Sequence, residues 1–275
     1  MSNTRNEERL AGAPAPQADP PTTPGSLEWV TPTDLVPLPT KGKYYPEDHP
    51  LRGKEEIELK QMTAKEEDIL SNKKLLKNGT AIDRMLESLL VDKRIKLNSL
   101  YIGDKNAMIL AARIEGYGSE YDAKITCPHC GETVKYAFDL SKVELKYDLE
   151  TEIKEDGTFS FSLPKTNLEV VCKLLTGADE KWITDLAKSK KDKDLPETLI
   201  LDQMSAFVVS IAGVADKTQI RKFLSMMPAM DSKFLRKKYR ETVPNVDMKQ
   251  DFVCSECEAS QEVDVPFTAE FFWPK

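Results

Sequence analysis

Apolar residues keep different rhythms along successive stretches of the 275-residue chain. Residues 1–26 keep none. Pro14, Pro16, Pro20, Pro21 and Pro24 sit among Ala, Gln, Thr and Gly, and this segment is expected to be a disordered tail. From 27 to 60, Pro32, Pro37, Pro39, Pro46 and Pro50 forbid a helix, while Trp29, Val30, Leu35, Val36, Leu38, Tyr44 and Tyr45 want burial. This combination suits an extended arm lying along another surface, its own or a partner's, and ending in a short strand over 55–60.

The period then changes. Thr63 and Glu66 form a capping box, and Ile69, Leu70 and Leu76 share one face of a helix that Asn78-Gly79 stops. Thr80 caps a second helix with a stripe at Ile82, Met85, Leu86, Leu89 and Leu90. Asp104 is expected to cap a third, through Met108, Ile109, Ala112 and Arg113, ending near Gly116. These helices make a bundle over 61–117.

From Glu120 the alternation has period two. Tyr121, Ala123 and Ile125 lead into CPHCG, and Val134, Tyr136 and Phe138 lead out of it. Asp156-Gly157 predicts a hairpin turn within KYDLETEIKEDGTFSFSLPKT, and 168–175 reads as another strand. Helical signals follow at 179–188, from Pro196 to near Gly213, after Asp216 until Pro228, and after Asp231. Strands return as Phe252 leads into CSEC and Val263, Val265 and Phe267 alternate out. The fold class is α+β. Its β module is expected to combine 118–175 with 248–275, as a zinc-ribbon-like pair of sequence-distant CxxC hairpins, and 176–247 forms an inserted helical block.

Composition excludes more than it assigns. Lys+Arg of 39 against Asp+Glu of 46 gives a net charge of −7, which argues against nucleic acid as the general partner. No run approaches the roughly 18 apolar residues of a membrane span, and the polar opening MSNTRNEERLAGAPAPQ lacks a signal peptide's apolar stretch. A cytoplasm is therefore expected, where thiols stay reduced and paired cysteines favour metal or redox chemistry.

CPHC is also the spelling of an oxidising thiol–disulfide site. Redox work, however, wants the first cysteine at a helix N-terminus, where the dipole lowers its pKa. Here Gly131 follows at once and the next apolar residues run with period two, as at a hairpin tip. A metal site needs a second pair, and CSEC supplies it. Cys127, Cys130, Cys254 and Cys257 are thus the candidate ligands of one structural Zn2+, although the pairs stand much farther apart than the usual spacing of about 15–20 residues. Four cysteines leave no open position for an activated water, so the metal is structural. His129 is read as a polar tip residue, His49 has no partner nearby in sequence, and Cys172 reads as a small buried hydrophobe. No phosphate-binding loop, dinucleotide fingerprint, HExxH, GxSxG or zinc deaminase signature is present, so an enzyme is not expected. KSKKDKD (188–194) reads as a solvated connector. RKKYR (236–240), with Tyr239 for stacking, is the best basic patch and keeps a nucleic-acid-binding zinc-ribbon regulator as the alternative.

Several stretches together resemble T4-like phage baseplate hub and hub-assembly proteins: PLPTKGKYYPE with its Lys-Gly turn, MTAKEEDILSNKKLLKNGTAIDRMLESLL, GDKNAMILAARIEGYGSEYDAKITCPHC, and the closing FVCSECEASQEVDVPFTAEFFWP. The likeness covers most of 35–275. It implies a non-enzymatic structural or assembly protein of a contractile-tail baseplate, present in the host bacterial cytoplasm during assembly and in the virion if retained. Its partners would be other baseplate or tail proteins, with no small-molecule substrate and no membrane. The arm, Trp29 to Pro50, and the final FFWPK are the candidate contacts. One departure stands out: the second knuckle carries Glu258 where the first has Gly131, a costly exchange if φ must be positive and one expected to make that pair's geometry less regular.

Overall fold

The computed structural model describes residues 30–146, 151–266 and 269–272. The expected tail at 1–26, and the expectations placed on Trp29, Phe267 and Trp273, lie outside the described residues. Within them the chain is a mixed α/β structure of small antiparallel sheets and helices.

The proline-rich stretch folds onto its own chain. β1 (Thr33–Pro37) pairs antiparallel with β2 (Glu56–Lys60), Val36 facing Ile57, and both side chains are buried. The loop between them inserts Leu38, Tyr45 and Leu51 into the core. Its Lys-Gly turn has Lys41 and Gly42 both at positive φ, 52° and 66°. A Cβ on Gly42 would lie 2.4 Å from the Leu51 carbonyl oxygen and 2.5 Å from that of Lys54, so only glycine fits.

The capping box forms as expected: the Thr63 N–H and hydroxyl both donate to Glu66, at 3.0 and 2.6 Å. The single helix expected up to Asn78 is, however, two. α1 (Ala64–Ser71) stops because Asn72 leaves helical geometry and turns its side chain to cap α2 (Lys73–Asn78), accepting from Lys74 and Leu75 N–H. α3 (Ala81–Leu89) buries Met85, Leu86 and Leu89, and α4 (Ile102–Tyr117) ends at Gly118.

Asp104 is not the cap of α4. It lies inside the first turn, fully buried, and its carboxylate accepts from Thr40 N–H (2.9 Å), the Thr40 hydroxyl (2.6 Å) and the Tyr45 hydroxyl (2.7 Å). Burial pushes its pKa up against these donors. The short polar side chain that suggested a cap instead pins the proline-rich loop, 59 to 64 positions away in sequence, to the helix.

β3 (Glu120–Thr126) and β4 (Thr133–Asp139) form the first cysteine hairpin, with Tyr121, Ala123 and Ile125 alternating inward. β5 (Glu144–Lys146) follows. The chain next forms β6 (Thr158–Ser162), β7 (Glu169–Lys173), α5 (Gly177–Asp192), α6 (Leu199–Phe207), β8 (Val208–Ile211), α7 (Lys217–Met226) and α8 (Ala229–Thr242). It returns as β9 (Asn245–Asp247), β10 (Lys249–Val253) and β11 (Ser260–Asp264), the last two forming the second cysteine hairpin.

Three expectations in this stretch are corrected. Asp156-Gly157 does make a tight turn, Asp156 accepting from the Thr158 N–H and hydroxyl, but among the described residues no long hairpin spans it: β6 pairs with β7 across residues 163–168. The helix expected from Pro196 to near Gly213 ends at Phe207, after which Val208 and Ile211 are buried in a strand paired with β7. β-branched side chains on a half-buried edge favour that state. Asp231, like Asp104, sits within a first turn and holds a distant loop, accepting from Lys165 N–H (2.8 Å), Thr166 N–H (3.1 Å) and the Thr166 hydroxyl (2.8 Å).

Two hydrophobic clusters result. One draws on residues 36–140 and 246–272, the other on 159–235. Thus β6 and β7 pack with α6, α7 and α8, whereas the sequence reading put 118–175 with the cysteine hairpins. The junction is β5 against β9: Leu145 faces Val246 and Lys146 faces Asn245, so the chain leaves and re-enters on neighbouring strands. Lys105, almost completely buried on α4, reaches Asp83 on α3 and Glu180 on α5, each at 2.7 Å. The contact with Glu180 ties α5 to the helices of the first cluster.

Candidate metal centre

The re-entry at β9 determines where the second hairpin lands. β10 runs beside the end of β4: the Gln250 side chain accepts from Asp139 N–H (3.2 Å) and donates to Asp139 C=O (2.7 Å). The Tyr136 hydroxyl donates to the Asp251 carbonyl at 3.1 Å, and the Tyr136 and Phe252 rings meet edge to face at 5.0 Å. The two cysteine turns are thereby brought tip to tip.

Each turn is built the same way. Cys127 N–H donates to Glu132 C=O (2.8 Å) and Gly131 N–H to Cys127 C=O (2.8 Å). In the second, Cys254 N–H donates to Ala259 C=O (3.1 Å) and Glu258 N–H to Cys254 C=O (3.0 Å). Gly131 has φ 79°; Glu258, at the matching place, has φ 55°. The positive φ expected there is present. Glu258 adopts it despite its Cβ, and the hydrogen bonds of its turn keep the same pattern as those of the first.

The four sulfurs of Cys127, Cys130, Cys254 and Cys257 lie within 4.8 Å of one another. Cys127 is 3.8 Å from Cys257, and Cys130 is 3.8 Å from Cys254, so each hairpin's sulfurs meet those of the other. Four sulfurs at about 2.3 Å from a central cation would stand about 3.8 Å apart along each tetrahedral edge. The donor set therefore fits a metal ion that prefers four soft ligands.

The electrostatics point the same way. The Cys130 N–H aimed at Cys127 holds that thiol down to about 6, even though Cys127 is buried. At Cys257 the Ala259 N–H favours the thiolate, yet burial and the neighbouring sulfurs push its pKa up to about 12. Without a cation the cluster cannot hold four thiolates; with one it can. A thiol lowered by backbone N–H groups is also a feature of redox sites, but here Cys127 closes a strand and no helix begins at it.

The remaining candidates fall elsewhere. His129 is exposed at the first tip. Cys172 is fully buried in the second cluster, where burial pushes its thiol pKa up. Tyr239 is not free for stacking on a base: its ring lies against Phe207 at 3.9 Å and Phe159 at 5.8 Å, and its hydroxyl donates to Lys173 C=O. His49, for which the sequence suggested no nearby partner, does have them: it stacks on Tyr45 at 4.3 Å and accepts from Leu51 N–H, and it also bonds the distant Ser99 at 2.8 Å.

Two residues that brace the cysteine hairpins, one at the sulfurs and one at the far end, carry no motif. Gln261 Nε2 lies 3.7 Å from the Cys127 sulfur. Arg113, buried to 1% exposure, donates to the carbonyls of Phe271 (2.7 Å), Gly118 (2.6 Å) and Glu120 (3.0 Å) and lies over the Tyr117, Tyr121 and Phe271 rings. It fastens the segment after the second hairpin to the start of the first. Its sequence position on a helix face gave no sign of this.

No curated protein and no solved structure matches the chain. A family described as T4 bacteriophage base plate protein matches residues 38–273, a span that holds the Lys-Gly turn, both cysteine hairpins and the block between them. The chain therefore belongs to the T4 bacteriophage base plate protein family.

Proposed function

We propose that this chain is a non-enzymatic structural or assembly protein of the contractile-tail baseplate hub, in which Cys127, Cys130, Cys254 and Cys257 hold one structural Zn2+. The observation that carries the metal reading is the convergence of four sulfurs within 4.8 Å from two hairpins far apart in sequence. Zn2+ suits a closed set of four thiolates and supplies a cross-link with no open position for catalysis. The residues themselves do the positioning: Gln250, Tyr136 and Phe252 align the hairpins, and the backbone N–H groups of each turn face the sulfurs. The family points to a role among other tail or baseplate proteins. Assembly in the host cytoplasm, where thiols stay reduced, is compatible with the metal.

The role is tested by sedimenting baseplate intermediates from infected cells. The chain is expected in those fractions together with other baseplate proteins. Its appearance only in the free-protein fraction at every stage of infection would overturn the role.

A further inference from the structure

On the face of the second cluster, α5, α6 and α8 leave a trench of about 680 Å³. Ile183 and Ala187 line it from α5, Leu199 and Phe207 from α6, and Val243 lies beyond the end of α8. It is open: Leu199 remains 52% exposed although it lines the wall. A small molecule would ordinarily be enclosed over most of its surface, so the shape suits a length of chain.

The charge at its edge is specific. Arg236 and Arg240, one helical turn apart on α8, both border the trench. Arg236 Nε donates to its own helix at Ser232 C=O, and neither guanidinium meets a carboxylate among the described residues. Glu180, the acid that also borders the trench, is taken by Lys105 at 2.7 Å. In a chain where acids outnumber bases, two such guanidiniums beside an apolar trench call for carboxylates from outside.

We infer that this trench docks an acidic amphipathic segment of another baseplate protein. Apolar side chains of that segment enter between α5 and α6, and two Asp or Glu side chains one helical turn apart meet Arg236 and Arg240. The inference rests on the reading of the chain as a baseplate interaction protein and is independent of the metal. Nucleic acid would use the same two arginines through its phosphates, but it has no use for the apolar wall, and Tyr239 is already packed.

The test places a photo-cross-linking side chain at Leu199 of the full-length protein, with a second version at Trp182, which is exposed on α5 but does not line the trench. Each is irradiated with baseplate intermediates from infected cells, and the attached peptides are sequenced. The Leu199 position should capture a peptide of another baseplate protein carrying paired acids among apolar residues. The R236E/R240E variant, checked for an unchanged Tm, should lower its yield at least tenfold. Capture of a second copy, of residues 1–29 of the same chain, of nucleic acid or of a peptide without paired acids would overturn the inference. So would a yield indifferent to the two arginines. If the protein travels with the intermediates yet cross-links to them only from Trp182, the trench is wrong and the baseplate role stands. If it does not travel with them at all, the role fails first.

Discussion

At residue scale the two cysteine turns give a matched comparison. Gly131 and Glu258 occupy the same place in the same hydrogen-bonded turn, both with positive φ, where a side chain costs about 1–2 kcal/mol. A Cβ on Gly131 would meet nothing within 4 Å, so its replacement isolates backbone strain from packing. G131A is expected to lose about 1 kcal/mol, and E258G to gain up to about 1 kcal/mol, in equilibrium unfolding with metal in excess. If E258G destabilises, the glutamate makes a contact that outweighs its backbone cost. His49 is a second case. Leu51 N–H donates to its Nδ1 at 3.2 Å, and the Ser99 hydroxyl donates to Lys96 C=O, which leaves Nε2 to donate to Ser99. Both ring nitrogens are used in the neutral form, and burial lowers the pKa from its ordinary value of 6.5. A lowered folded-state pKa contributes stability fully above about 6.5, lost as pH falls through the folded value. Thermal unfolding from pH 7 to pH 5 should therefore lose more Tm in the wild type than in H49Q. Equal slopes would mean that His49 does not titrate against folding. Ser99 lies 50 positions away, beyond what the sequence could show, whereas Leu51 and Tyr45 are close in sequence but carry no motif that marks them as partners.

At the scale of elements, the determining fact is that the sulfurs of the two cysteine hairpins converge although β5 to β9 separates them. Local signals made each hairpin legible: period-two alternation on both sides, a CxxC tip, and Gly131 at the first turn. Long-range partners were not legible. Asp104 and Asp231 look like helix caps because a short acid near a helix start usually is one. Instead, Asp104 accepts one backbone N–H and two hydroxyls, and Asp231 two backbone N–H groups and one hydroxyl, from loops far away in sequence. Val208 to Ile211 continues a helical pattern by spacing alone, and only β7 beside it makes a strand. A shared site has a measurable signature. C127S and C254S should each lower Tm by the same amount, and C127S/C254S should lose little more than either alone, because the first change already removes the ligand set. Additive losses would mean that each hairpin is stabilised on its own.

On the whole-molecule scale, the chain is two hydrophobic clusters, with the crossing between them at β5–β9, Tyr101 packed against both, and the cysteine tips lying on the first. The four clustered cysteines bracket the long excursion from Lys146 to Asn245, and a metal held by them would fix the ends of the first cluster across it. A cross-link between sequence-distant turns limits the freedom of the unfolded chain as well as fixing the native contacts. The trench on the second cluster faces outward and is bordered by Arg236 and Arg240, so on the proposed reading the cluster away from the four clustered cysteines is the one offered to a partner. The most direct test of this account is metal content: protein purified without added metal, weighed intact under native conditions and digested for elemental analysis. One zinc per chain is predicted, released by chelation together with a fall in Tm. A metal-free protein whose Tm neither zinc nor chelator moves would contradict it.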